Sequence, residues 1–227
     1  MGVQKERNEK RGKGYGTWLT IALRVLSPFV KKRRVEGEIL KGPCVYVCRH
    51  MGDKGVVAMF ASVKNTFRPW VLHVLTDYDL AKKHFQEYTF PQRMGKGKLF
   101  SAFCSPIAAR VLVSLVKSAK GIPVYRGKDG MRSITTLKKS VEALQNGDCL
   151  LICPDVDYAD EEIRKSGEIY RGFFAVDKLY RKKTGQSVDF VPVYMDEEKI
   201  VLHAPVRFGS LSDEETIAVI TNGIYNP

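Results

Sequence analysis

The sequence predicts an α/β domain in which a mixed, largely parallel sheet is flanked by helices. Short apolar runs with the length and β-branched content of strands alternate with longer segments of helical periodicity. This alternation is typical of layered α/β domains. The chain has 227 residues, 44% of them hydrophobic, which is enough for one sizeable core. We therefore expect a basic segment with an amphipathic helix over residues 1–34 and a single α/β domain over residues 35–227.

Six short apolar runs are the predicted strands. In chain order they are PCVYVC, RPWVLHVL, GIPVY, DCLLICP, VDFVPVYM and KIVLHAPVRF. Their β-branched and aromatic residues suit the pleated, buried surface of a sheet. Because ligands gather at the carboxyl ends of the strands in α/β sheets, we expect a functional site in the loops that follow these runs.

Apolar periodicity and end signals predict three helices. In the segments 131–147 and 170–185 an apolar stripe runs along one helical face and stops before a glycine. The first stripe consists of Ile134, Leu137, Val141 and Leu144, and the second of Phe173, Val176 and Leu179. Ser212 and Glu215 have the spacing of a capping box, which predicts that a last helix begins there.

A fourth helical segment, LFSAFCSPIAARVLVSLVKSA at 99–119, is apolar on most of its sides. A helix that is apolar all round is either buried in a core or turned towards lipid. The sequence leaves both alternatives open.

Positive charge is concentrated at the N-terminus. The formal net charge is +12, and residues 1–34, with ten basic and two acidic side chains, hold eight of these charges. The apolar stretch 15–30 between basic runs is too short to span a bilayer and suits an interfacial helix on an anionic phospholipid membrane surface. A first core helix with a basic tail is the alternative. We find no nucleic-acid-binding motif and expect no nucleic-acid partner.

The cysteines predict the compartment. All five lie in apolar runs, and no cleavable signal peptide precedes them. We therefore expect reduced thiols and a cytoplasmic protein that is peripheral on the inner face of the cell membrane. The spacing of Cys44 and Cys48, repeated in Cys149 and Cys153, is unlike that of zinc hairpins, so we expect buried thiols and no metal site.

The first predicted strand ends in Arg-His and is followed by MGDKG. His50 is either a proton-transfer base held by Asp53 or a polar residue where a strand meets solvent. Gly52 permits a sharp turn that would bring residues 50 and 53 together. An imidazole, with its ordinary pKa of about 6.5, suits proton transfer near neutral pH.

The order of motifs over residues 40–195 resembles the glycerolipid acyltransferase family, which acylates lysophosphatidic acid and related lysophospholipids. A strand ending in His is followed by GIPVYRG, NGDCLLICPD, GEIYRGFFAVDKLY and FVPVYM. The resemblance implies a glycerol-3-phosphate acyltransferase-like fold. It also implies acyl transfer from acyl-CoA or acyl-carrier protein to a lysophospholipid such as 1-acyl-glycerol-3-phosphate, with no cofactor and no metal.

The resemblance assigns roles by position. His50 would be the general base that takes the proton of the acceptor hydroxyl, with Asp53 as its supporting acid. Arg126 would bind the phosphate of the acceptor, since its planar guanidinium can donate two parallel hydrogen bonds. Lys128 and Arg132 would add to the positive field around that phosphate.

The next motif departs from the family. Pro154 and Asp155 stand where the family has Pro-Glu, and we predict that both line the substrate site. Asp157 adds a second carboxylate, and Tyr158 stands where the family has a further arginine. These carboxylates repel a phosphate unless cations such as Arg171 offset them, so Arg171 is also a predicted substrate-binding residue.

The acid that supports the histidine is displaced too. The family places it five positions after the histidine, where this chain has Gly55, and Asp53 comes two residues earlier. Loss of such an acid is costly, because it orients the imidazole and stabilises its protonated form. The alternative hypothesis is therefore a catalytically inactive or altered lipid-binding relative of the same fold.

Overall fold

The computed structural model describes residues 14–26, 30–51, 53–125, 130–154, 169–209 and 211–227. The chain divides into two compact units. The first comprises Met1–Gly14, Ser27–Phe67 and Leu137–Pro227, and the second Tyr15–Leu26 and Arg68–Thr136. The expected single domain over 35–227, with its boundary at residue 34, stays a prediction.

The helices and strands of the described residues follow one another in α/β fashion. In chain order they are α1 (Thr17–Leu26), β1 (Arg34–Glu36), β2 (Cys44–Cys48), α2 (Asp53–Ser62), β3 (Phe67–Leu72), a 3₁₀ turn (His73–Thr76), α3 (Tyr78–His84), a π-helical segment (Phe85–Arg93), α4 (Lys98–Ser118), β4 (Ile122–Val124), α5 (Gly130–Gln145), β5 (Cys149–Ile152), a second 3₁₀ turn (Arg171–Phe174), α6 (Ala175–Thr184), β6 (Asp189–Met195), β7 (Lys199–Leu202) and α7 (Asp213–Tyr225).

The first unit contains a mixed sheet in the order β1-β7-β6-β2-β5. Three of its neighbouring pairs are parallel, and β6 and β7 pair antiparallel. The hairpin between β6 and β7 turns at Asp196, whose side chain accepts hydrogen bonds from the backbone N–H groups of Glu198 and Lys199, both at 2.8 Å. The predicted fold class, a mixed and largely parallel sheet flanked by helices, is confirmed.

The central strands are buried along their whole length. Every residue of β2 and of β5 is buried, as expected for parallel strands covered on both faces. The rings of Tyr46 and Phe67 meet edge to face at 5.3 Å in the same core. This packing fixes β2 rigidly, and with it the point at which β2 ends.

The second unit combines a short parallel strand pair with helices. Trp70, Val71 and Leu72 of β3 lie opposite Ile122, Pro123 and Val124 of β4. Arg68, also on β3, is 1% exposed, and its guanidinium donates to the carbonyl oxygen of Ala119 at 3.2 Å. The same guanidinium lies 5.8 Å from the ring of Tyr15. Arg68 thus connects β3 with the chain just before α1 and with the chain just after α4.

The helix predictions have mixed outcomes. The capping box is confirmed, with Ser212 accepting from the backbone N–H of Glu215 at the start of α7. Gly185 ends α6 in the left-handed conformation, with φ +74°. The predicted helix with the apolar stripe is α5, in which Val141 and Leu144 are buried and Ile134 is 50% exposed. Thr136 is buried instead, and its hydroxyl donates to the carbonyl oxygen of Pro123.

Candidate active site

His50 lies just beyond the carboxyl end of the central strand β2. It follows Cys48 by two residues and precedes α2, which begins at Asp53. Since β2 has parallel neighbours on both sides, β5 and β6, this end of the strand is the edge at which ligands of α/β sheets bind. The side chain of His50 is half-buried, and its Nδ1 atom is shielded from solvent. The strand thus presents an imidazole at the position that the sequence predicts.

The residues on either side hold His50 in place. The guanidinium of Arg49 lies 5.4 Å from the ring of Tyr225 in α7, and Met51 packs against the core of the first unit. Both contacts come from parts of the same compact unit, so the backbone around His50 is fixed from two directions. A base for proton transfer needs a fixed position of this kind, because its ring must reach the reacting proton at hydrogen-bond distance.

Asp53 is the first residue of α2, but its side chain lies outside the described part of the structure. Its predicted support of His50 therefore stays a prediction. Gly55, where the resemblance expects the acid, is buried in the first turn of α2. A Cβ atom at Gly55 would lie 3.4 Å from the carbonyl oxygen of Arg49 and 3.5 Å from the Cβ of Met51. A side chain at position 55 would therefore face the connection that carries His50, at ordinary van der Waals distance.

Two thiol pairs join β2 to β5. The Sγ atoms of Cys44 and Cys149 are 3.5 Å apart, and so are those of Cys48 and Cys153. The hydrogen bond with Cys149 and, after it, burial raise the pKa of the Cys44 thiol well above its ordinary value. The raised pKa keeps the Cys44 thiol neutral in the core. The second pair marks where the ends of β2 and β5 lie side by side, two residues before His50 on one side and one residue before Pro154 on the other.

Pro154 connects the end of β5 with the segment that holds Arg171. It is buried, and its carbonyl oxygen accepts a hydrogen bond from the backbone N–H of Tyr170 at 2.7 Å. Arg171 follows directly, is exposed, and begins the second 3₁₀ turn. A Cβ at Gly172 would lie 2.4 to 2.6 Å from atoms of the Tyr170 ring, so a larger residue there would displace this exposed ring. The structure therefore brings two of the predicted substrate-binding residues to the same strand end.

Arg171 also borders a shallow cleft of about 250 Å³. The lining also includes Lys178, whose Nζ atom lies 3.3 Å from a carboxylate oxygen of Asp213. This cleft is smaller than the roughly 300–1,000 Å³ of usual small-molecule sites, and too small for a lipid chain.

Arg126, Lys128 and Asp155 lie outside the described residues, and their predicted roles stay predictions. The chain that leads up to Arg126 belongs to the second unit. Tyr125 follows β4, and its ring stacks on that of His73, which follows β3, with the centroids 4.9 Å apart. The guanidinium of Arg132 lies 5.6 Å from the same ring.

The stack of His73 on Tyr125 was not predicted from the sequence. The available signal was positional, because each of these residues directly follows a strand of a parallel pair, and parallel strands end at the same edge. For metals, the described residues contain no group of three or more His, Cys, Asp or Glu side chains able to hold an ion. The expectation that the site needs no metal or cofactor stays a prediction.

Comparisons with known proteins give one remote similarity. No family model and no curated protein matches this chain. Among solved structures, the chain is similar to the crystal structure of the 1-acyl-sn-glycerophosphate (LPA) acyltransferase PlsC from Thermotoga maritima, with 15% sequence identity and a TM-score of 0.43. The similarity covers 91% of this chain and 79% of that one. At this level it carries no argument about activity or substrate.

Proposed function

We propose that this protein is an acyltransferase that moves a fatty acyl group from acyl-CoA or acyl-carrier protein to the hydroxyl of a lysophospholipid such as 1-acyl-glycerol-3-phosphate. The observation that carries the proposal is the half-buried imidazole of His50 beyond the carboxyl end of β2, beside the end of β5 at Pro154. The motif order over residues 40–195 supplies the reaction class, and the position of His50 supplies the base.

In the proposed reaction His50 takes the proton of the acceptor hydroxyl as its oxygen attacks the thioester carbonyl carbon. The tetrahedral intermediate then collapses, the carbon–sulfur bond breaks, and the imidazolium returns the proton to the leaving thiolate. Acyl transfer of this kind needs no covalent enzyme intermediate, because oriented reactants and a base suffice. Asp53 would orient the imidazole and stabilise its protonated form.

Cations would hold the acceptor. Arg126 and Lys128 would bind its phosphate, and Arg171 would offset the charge of Asp155 at the end of β5. The reaction would take place on the cytoplasmic, inner face of the cell membrane, to which the basic segment 1–34 would be drawn by anionic phospholipids. No nucleic acid, metal or cofactor enters the proposal.

Replacement of the base tests this proposal. In His50→Ala, transfer of acyl groups to 1-acyl-glycerol-3-phosphate, followed by mass spectrometry of the product, is expected to fall about 10²–10⁴-fold. His203→Ala is the matched control, since His203 also lies in the first unit and its Nε2 atom lies 3.2 Å from the carbonyl oxygen of Asn226. Undiminished transfer in His50→Ala would refute the mechanism.

The inactive lipid-binding relative is the second candidate, and Gly55 is the observation that favours it. Gly55→Asp would place a carboxylate against the connection that carries His50, and Gly55→Ala is its control with the same Cβ and no charge. If Asp53 supports His50, Asp53→Asn loses transfer and Gly55→Asp changes it little. The lipid-binding function is supported if the wild type binds lysophosphatidate but uses neither acyl donor, and if Gly55→Asp does not restore acyl transfer.

A further inference from the structure

The N-terminal half of helix α4 is packed with its large apolar side chains outward, whereas Val113 and Val116 of its C-terminal half are buried. Leu99, Phe103, Ile107 and Val111, four residues apart and so on one face, are 90%, 78%, 61% and 55% exposed. We call these four residues the apolar row. The opposite face, which is buried, consists at its N-terminal half of Ser101, Ser105 and Ala109. Helices of proteins surrounded by water bury their large apolar residues and expose the polar ones, so α4 has the reverse arrangement.

The buried face is suited to close packing. Ala109 is fully buried and belongs to the same cluster as Ala81 of α3. The hydroxyl of Ser101 donates to the carbonyl oxygen of Gly97, and that of Ser105 to the carbonyl oxygen of Ser101, so both polar groups are satisfied within the helix. Small residues every four positions let helices approach closely and are typical of helix contacts in membranes.

Helix α1 packs on the C-terminal end of α4 within the same unit. The backbone N–H of Leu19 donates to the hydroxyl of Ser118 at 2.8 Å, and that of Gly16 to the carbonyl oxygen of Ser118, also at 2.8 Å. Leu19 is thereby buried, whereas Trp18 remains 67% and Val25 58% exposed. The segment predicted as an interfacial helix does form a helix, Thr17–Leu26, and it exposes apolar side chains in the same unit as α4.

The charges within and directly next to α4 in sequence have a single sign. Residues 94–120 contain five cations and no acidic residue, and residues 14–26 contain Arg24 and no acidic residue. The ammonium group of Lys96 lies 5.7 Å from the ring of Phe100, next to the start of the apolar row. Exposed apolar residues on a segment that carries lysine and arginine and no acidic residue match an anionic bilayer, where the side chains enter the acyl region and the cations meet the headgroups.

Two further observations fix how α4 would meet the bilayer. The helix is long and apolar enough to cross a membrane by composition alone, but its buried face packs against α3, and Arg110 lies over the ring of Tyr78 at 5.7 Å. A helix that is covered by protein along one side cannot be surrounded by lipid. An orientation in the plane of the interface satisfies both faces.

We propose that the apolar row of α4, together with α1, enters the headgroup and acyl boundary of an anionic bilayer, with α4 lying in the membrane plane. The row thus adds a membrane-docking surface to the basic segment 1–34. This inference does not depend on acyl transfer, because it rests on the burial and charge of the second unit alone.

Flotation with vesicles tests the surface. Vesicles of phosphatidylcholine with about one third phosphatidylglycerol are expected to bind the full chain, and pure phosphatidylcholine vesicles to bind it more weakly. The double variant Leu99→Glu/Phe103→Glu is expected to lower binding to the anionic vesicles at least about tenfold. The control Val219→Glu changes a valine on α7 that is 44% exposed, and is expected to bind as the wild type does. Unchanged binding of the double variant would overturn the proposal.

A second measurement is independent of any charge introduced into α4. In a Trp18→Phe background, whose remaining Trp70 supplies a reference signal to be subtracted, the fluorescence added by Phe103→Trp is expected to be quenched by vesicles with brominated acyl chains, and that added by Val219→Trp much less. Light scattering tests the competing occupant, which is a second copy of the chain. A dimer that dissociates in Leu99→Glu/Phe103→Glu, together with no quenching of Phe103→Trp, would show that a second copy covers the row and would overturn the proposal. Neither measurement involves acyl transfer. A negative result in either one would therefore overturn the docking surface and leave the proposed reaction to the His50→Ala assay.

Discussion

Helices α4 and α7 obey opposite rules of burial in the same chain. On α7 the large apolar residues Ile220 and Ile224 are 0% and 1% exposed, and Gly223 lies so close to Pro192 of β6 that a Cβ would approach within 2.7 Å. In the N-terminal half of α4 the large apolar residues face outward, and Ser101, Ser105 and Ala109 face inward. The comparison teaches that apolar content alone does not tell which side of a helix is inside. Once the neighbouring elements are known, the size of the residues on each side shows which side is buried.

The largest effect is expected from one substitution made on both helices. Ile220→Ala should lower the free energy of unfolding by about 2–5 kcal/mol, because it leaves a cavity in the core. Ile107→Ala on α4 should change it by no more than about 0.5 kcal/mol, because Ile107 is 61% exposed in solution. Urea unfolding without vesicles measures both values. Equal losses would mean that the apolar row is covered in the isolated protein.

An intermediate effect is expected from enlarging the buried side of α4. Ser105→Leu should cost about 1–3 kcal/mol of unfolding free energy, since the side chain at 105 is 0% exposed and a larger one overpacks the contact. Ala102→Leu, on the exposed side of the same helix, is the matched control and should be nearly neutral. Should Ser105→Leu be as stable as Ala102→Leu, the small residues of α4 would not form a tight contact.

The smallest effect concerns the helix starts. Helix α7 begins with a capping box, whereas α4 begins at Gly97 with no side-chain cap. Ser212→Ala should cost about 1 kcal/mol, and Gly97→Ala, which removes no hydrogen bond, should cost less. Thermal unfolding at neutral pH compares the two variants.

The capping box also predicts a pH dependence. Hydrogen bonds from the Ser212 side chain and then its backbone hold the pKa of Glu215 below its ordinary value. A carboxylate with a lowered folded-state pKa stabilises the protein above its unfolded-state pKa, and this contribution is lost as the pH falls through the folded-state value. The difference between wild type and Ser212→Ala should therefore shrink in acid. A difference that grows in acid would contradict the assignment.

Several elements could be predicted because their signals are local. The continuous apolar runs of β2 and β5 are typical of strands buried on both faces, and the spacing of Ser212 and Glu215 is sufficient for a cap. Other elements carry weak signals. Strand β1 has three residues at the edge of the sheet, and the segment 78–93 is charged and contains Pro91, so neither was predicted.

The candidate site was only partly predictable. His50 was predicted at a strand end, and it lies at one. The sequence related Cys44 to Cys48 along one strand, whereas the contacts at 3.5 Å run across strands, from Cys44 to Cys149 and from Cys48 to Cys153. Those contacts depend on which strand lies beside β2, and residues 105 positions apart carry no local pattern that reveals it.

By itself, the sequence determined that strands and helices alternate, that an imidazole follows the first long apolar strand, and that basic residues flank two apolar helices along the chain. These properties depend on residue type and spacing along one segment. The tertiary structure alone decided that the apolar row of α4 faces outward and Ile134 is exposed, and that Pro154 and Tyr170 meet through the backbone. The reason is physical: a side chain is buried by the elements packed against it, and those elements are distant in the chain.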